Sequence, residues 1–111
     1  MKTLERFLKY WRKGNYRKMY KLCQKTWQHN HGFAELKNLF DGLRLDSYKN
    51  LHESGSASCL KKVELELKIN GVNKYHRANV ICEKKAFKPS TEGEWGVNPI
   101  SILNGKEIKP E

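Results

Sequence analysis

From Lys62 to Ile69 polar and apolar side chains alternate without a break, and the run ends on Asn70-Gly71. Alternation places Val63, Leu65, Leu67 and Ile69 on one face of an extended chain and Lys62, Glu64, Glu66 and Lys68 on the other. Asn-Gly accepts the positive φ angles of a tight hairpin turn, so the chain should reverse there. It returns as an antiparallel strand over about residues 74–85, with Ala78, Val80 and Cys82 on the apolar face. If the loop has two residues, Ile69 lies opposite Val72 and paired numbers add to 141. Val63 then faces Ala78, Glu64 faces Arg77 and Cys59 faces Cys82. A four-residue loop pairs Glu66 with Arg77 instead. Both registers keep the same faces together, and both demand a cover for the apolar one.

The N-terminal third supplies that cover. Leu4, Phe7, Leu8 and Trp11 recur at i, i+3, i+4 and i+7, which predicts a helix over 3–13 with Thr3 as its N-cap. Gly14 ends it, and Asn15 caps a second helix over 16–28 carrying Tyr16, Met19, Tyr20, Cys23 and Trp27. Phe33, Leu36 and Phe40 predict a third helix over 33–41, closed by Gly42. Beyond it the period falls to two. Strands are expected over 43–53 and 57–70, separated by a Ser54-Gly55-Ser56 turn. Residues 86–94 read as a loop, and a last strand spans 94–103, with Pro99 at an edge or bulge. The tail from Asn104 is polar and should fray. At 111 residues the chain is a single domain, 1–111. Its fold class is α+β: N-terminal helices on one face of a curved antiparallel sheet of about four strands.

Charge is concentrated at one end. Residues 1–28 hold nine Lys and Arg against one Glu, so they carry eight of the ten net positive charges. Lys9, Arg12, Lys13, Arg17, Lys18, Lys21 and Lys25 fall between the apolar stripes. Such a face either fills the solvated side of a helical lid or meets nucleic acid or an acidic membrane surface. No zinc-finger spacing, heptad zipper or Gly-x-x-Gly loop accompanies it. No apolar run is long enough for a membrane span or for the core of a signal peptide. Three cysteines do not make a disulfide framework. Both features point to a cytoplasmic setting, or to an exported one if a leader was removed ahead of Met1.

The Gly14-Asn15-Tyr16 junction with Met19 and Trp27, the element order and the terminal Trp95-Gly96-Val97 strand together resemble the nuclear transport factor 2-like superfamily. The resemblance covers nearly the whole chain. It implies a cystatin-like cone, a homodimer through the sheet and a small ligand held at the open end. It also implies kinship with the small non-catalytic domains that precede the catalytic part of some bacterial penicillin-binding transpeptidases. The enzymes of the superfamily, similar to ketosteroid isomerases and polyketide cyclases, keep a base and often a Tyr donor in the cone. That arrangement is not matched here: the strands offer only His76 near a hairpin end and Asp46 early in the first strand, and Tyr16, Tyr20, His76 and Trp95 are the candidates for lining a pocket. None forms a recognisable catalytic motif.

Three other patterns invite chemistry. Ser58-x-x-Lys61 spells the nucleophile motif of penicillin-interacting enzymes, but a strand start sends i and i+3 to opposite faces. With six Ser and 17 Lys in the chain, about one such match arises by chance. His29-x-His31, with Glu35 nearby, offers two imidazoles where a zinc site needs more ligands. Cys59 and Cys82 could be bridged in the two-residue register under oxidising conditions. Cys23 and Cys82 read as core. Glu64 and Glu66 read as partners of Arg77 and the lysines. Taken together, these residues point to a non-enzymatic binding or accessory domain with no metal and no cofactor. A small cyclase-like enzyme and an anion-binding protein are the alternatives.

Overall fold

A computed structural model describes residues 1–107. Four helices lead into a six-stranded antiparallel sheet. The helices are α1 (Lys2–Lys13), α2 (Tyr16–Lys21), α3 (Lys25–Asn30) and α4 (Phe33–Phe40). The strands are β1 (Leu45–Ala57), β2 (Leu60–Ile69), β3 (Val72–Lys85), β4 (Lys88–Pro89), β5 (Glu94–Asn98) and β6 (Lys106–Glu107). β1 pairs β2 and β2 pairs β3; β4, β5 and β6 all pair β3.

The hairpin adopts the two-residue register. Ile69 faces Val72, Val63 faces Ala78 and Glu64 faces Arg77, with the Arg77 guanidinium donating to Glu64 at 2.9 Å. Asn70 and Gly71 both take positive φ, as such a turn requires. The turn is also held from outside. Asn70 exchanges backbone and side-chain bonds with Arg44, and Gly71 N–H donates to Asp46 at 2.8 Å.

One core lies between the sheet's apolar face and the helices. It combines Leu4, Phe7, Leu8 and Trp11 of α1 with Met19, Trp27, Leu36 and Phe40, and with Val63, Leu65, Leu67, Ala78, Val80 and Val97 of the sheet. Phe40 meets both Phe7 and Trp11 edge-on, at centroid distances of 5.9 and 4.8 Å. Trp11 Nε1 donates to Leu43 O at 2.7 Å, which ties α1 to the entry of the sheet.

Five expectations are corrected. The helix expected over 16–28 is two helices, because residues 22–24 run beside β5. Gln24 N–H donates to Val97 O at 2.9 Å and Val97 N–H to Leu22 O at 2.8 Å. Thr3 does not cap α1; the N-cap position is Met1, with no side-chain cap bond. Asn15 does cap α2, accepting from Lys18 N–H. The first hairpin turns at Ser58-Cys59, after Ala57 pairs Leu60, and the register shift between Glu53 and Gly55, one of three along β1, absorbs the Ser54-Gly55-Ser56 segment without a turn. The last strand stops at Asn98, whose side chain accepts from Ile100 N–H at 3.1 Å and folds the chain into a turn ahead of the Pro99 constraint. Part of the tail expected to fray pairs with β3 at Lys74 and Tyr75; residues 108–111 lie outside the described residues.

Two polar side chains of β3 are buried, Glu83 and His76. Glu83 is satisfied by α3. Its carboxylate accepts from Thr26 N–H at 3.0 Å and from the Thr26 hydroxyl, which itself accepts from Phe87 N–H at 2.8 Å. Changing Thr26 to valine keeps the shape and deletes both hydroxyl bonds. A loss of about 1–2 kcal/mol in urea unfolding is expected, and a variant as stable as the parent would contradict the role given to this hydroxyl.

Candidate functional site

The four pocket candidates do not converge. Tyr20 lies among helices: its hydroxyl donates to His31 O at 2.7 Å and to Gln28 O at 3.2 Å, and its ring meets Trp27 and Phe33 edge-on. Burial pushes its phenol above the ordinary value, so it remains a donor. Trp95 faces Cys82 across the sheet and carries the Lys61 ammonium 5.2 Å from its ring centre. Tyr16 lines a groove on the helical side.

His76 stands apart from the other three, between two clefts of about 410 and 320 Å³. Its Nδ1 lies 2.6 Å from Ile102 O. A carbonyl only accepts, so Nδ1 carries the proton and the neutral ring leaves Nε2 as an acceptor. Burial, opposed by that bond, holds its pKa below the ordinary 6.5. A depressed folded value means that the unfolded chain binds the proton first. Stability contributed by neutral His76 is therefore complete above pH 6.5 and declines as pH falls from there through the folded value. Melting temperature should drop between pH 7 and pH 5, and less so in His76→Phe. An equal slope in the two proteins would refute the assignment.

Asp46 is committed to structure, accepting from Arg44 Nε at 2.6 Å as well as from Gly71. The Arg44 bond, then the Gly71 bond, hold its carboxyl below the usual range. Ser58 sits in the hairpin turn while Lys61 reaches Glu53 at 3.4 Å, so hydroxyl and amine are not set one helical turn apart. His31 Nδ1 lies 2.6 Å from Glu35 and its ring stacks on Trp27, whereas His29 lies against Phe87. Among the described residues no cluster of three or more His, Cys, Asp or Glu could hold a metal. Cys23, Cys59 and Cys82 are free thiols. Burial pushes Cys23 up to about 12, which leaves it protonated and unreactive. Cys82 N–H donates to Cys59 O, the opposition expected from the register.

The basic face is where exposure and charge coincide. Lys2, Arg6, Lys9, Arg12 and Lys13 of α1 and Arg17, Lys18 and Lys21 of α2 are all exposed. Lys25 leaves the set: it is half-buried, donates to Lys84 O and lies 3.9 Å from Glu94. Among the described residues no carboxylate lies within ion-pair distance of the other eight. Glu5, the one acid of the face, lies 3.9 Å from the N-terminal amine. Asp46, Glu53, Glu64, Glu66 and Glu94 are taken by cations elsewhere. Two cations rest on rings instead: Lys18 over Tyr10 at 5.3 Å and Arg17 over Phe33 at 4.8 Å. The rings of this region were visible as an apolar pattern. The contribution of α4, through Phe33 and Lys37, was not, because nothing local links those residues to Arg17.

No described helix is long and apolar enough to cross a membrane. Comparison of the chain with models of protein families, with curated proteins and with solved structures finds no match.

Proposed function

We propose that this chain is a non-enzymatic binding domain, built as a cone of the nuclear transport factor 2-like kind, and that its working surface is the basic helical face, which engages an anionic partner. The observation that carries this reading is the run of eight exposed cations on α1 and α2 without a carboxylate partner among the described residues. Like charges gathered on one surface repel one another and cost stability. A partner bearing negative charge removes that repulsion and gains from every cation at once. The apolar stripe of α1 is fully buried in the core, so the cations project from a fixed platform.

The test is association with a soluble polyanion such as heparin across a salt series. With about four anionic contacts, affinity should fall roughly a hundredfold between about 50 and 200 mM salt. Charge reversal at Arg12 and Lys13 should weaken binding, while reversal at Lys62, on the sheet, should not. Absent binding at low ionic strength, or binding indifferent to salt, would defeat the proposal.

A further inference from the structure

We infer that the groove between the α1–α2 junction and α4 binds single-stranded nucleic acid. This rests on the reading of the basic face as an anion-binding surface and names the partner.

The groove has a volume of about 450 Å³ and is lined by Lys13, Gly14, Asn15, Tyr16, Arg17, Phe33 and Lys37. Three cations and two aromatic rings therefore share one concavity, and no carboxylate lines it. Lys9, Arg12, Lys18 and Lys21 extend the positive charge along both helices. Cations that track a phosphate backbone, combined with rings on which bases stack, are the two requirements of single-strand binding.

The rings are held in place. The exposed Arg17 guanidinium already lies over the Phe33 ring, 4.8 Å from its centre, so a planar cation and an aromatic ring adjoin at the surface where a base could join them. Phe33 is fixed from the side by the edge of Tyr20 at 6.2 Å, and the Tyr20 hydroxyl is bonded to two backbone carbonyls. Tyr16 is half-buried against the core and shows the remainder of its surface to the groove.

Two other anions fit less well. A duplex keeps its bases stacked inside, so it would meet the cations and leave the rings unused. An acidic membrane would need apolar side chains to insert. The exposed large apolar residues, Val72, Tyr75, Phe87 and Ile100, all lie on β3 or the loops beyond it, and the α1 stripe is buried.

The experiment measures fluorescence anisotropy of a labelled oligothymidylate of about 12 nucleotides, within the usual site size, with a duplex of equal length, heparin and phosphatidylserine vesicles as competitors. The single strand should bind at least about tenfold tighter than the duplex. Arg17→Lys keeps the charge and loses the planar stack; it should weaken the single strand about tenfold and leave heparin unchanged. Tyr16→Leu should act in the same direction, and if it fails to fold, the exposed Arg17→Lys decides alone. Lys13→Gln and Lys37→Gln should each lower the slope of log affinity against log salt by about 0.7. Equal affinity for duplex and single strand, stronger competition by vesicles, or an Arg17→Lys variant that binds the oligonucleotide as well as the parent each overturns the inference. In those cases heparin binding still upholds the basic face. Failure to bind any polyanion overturns both.

Discussion

Phe40→Ala should cost about 3–5 kcal/mol, a large part of the 5–15 kcal/mol that holds a domain of this size folded. Phe40 is fully buried at the end of α4, edge-on to Phe7 and Trp11 of α1 at once. Alanine removes both aromatic contacts and opens a cavity that rigid helices cannot close. The variant should unfold at a much lower urea concentration with an unchanged slope, and it may be compared with Phe40→Leu, which keeps most of the volume and should lose under about 2 kcal/mol. A loss below about 1 kcal/mol for alanine would mean that α4 is not anchored through this residue. The lid of cations would then need another support.

Gly96→Ala should cost about 3 kcal/mol, at the upper end for adding one methyl group. A Cβ on Gly96 would sit 2.6 Å from Gln24 Cα, 2.7 Å from Gln24 N and 2.8 Å from Cys23 O. All three are backbone atoms and cannot rotate aside. The φ of Gly96 is not in the left-handed region, so the effect is one of space alone. Relief requires residues 22–24 to move off β5, breaking the two bonds between that segment and Val97. Amide exchange at Gln24 and Val97 should therefore accelerate in the variant while that at Leu65 and Ala78 changes little. A stable Gly96→Ala protein with protected amides at both positions would show that the segment and the strand are not in close contact.

The parts of this fold that sequence reveals are those set by neighbours in the chain. The β2–β3 register follows from Asn70-Gly71 and an unbroken alternation, and the Gly14-Asn15 junction ends one helix and caps the next with side chains a few residues apart. The parts it hides are set from a distance. Met19, Cys23 and Trp27 keep helical spacing straight through the point where the helix stops, because what stops it is Val97, more than 70 residues away. Ser54-Gly55-Ser56 has the composition of a turn, yet β1 stays paired with β2 through it, and its irregularity is spent in bulges. The site divides in the same way. The cations of α1 and α2 and their exposure follow from helical periodicity. The groove does not, since Phe33 and Lys37 reach it from α4, with α3 intervening in the chain. The pocket candidates Tyr16, Tyr20, His76 and Trp95 were grouped by an implied cone, whereas the packing sends each to different partners.

The strip of backbone shared by residues 22–24 and β5 also sets the order in which the molecule can assemble. The cationic helices precede the strand that seats them, with Cys23 and its partner Val97 more than 70 residues apart. Until Val97 is available, Trp27 and the stripe of α1 have no complete sheet to cover. Contacts of such wide sequence separation slow folding, because a long loop must close before they stabilise anything. The aromatic and cationic helical segment therefore remains uncovered until β5 has been made. During that interval it is the region most exposed to aggregation or to capture by polyanions.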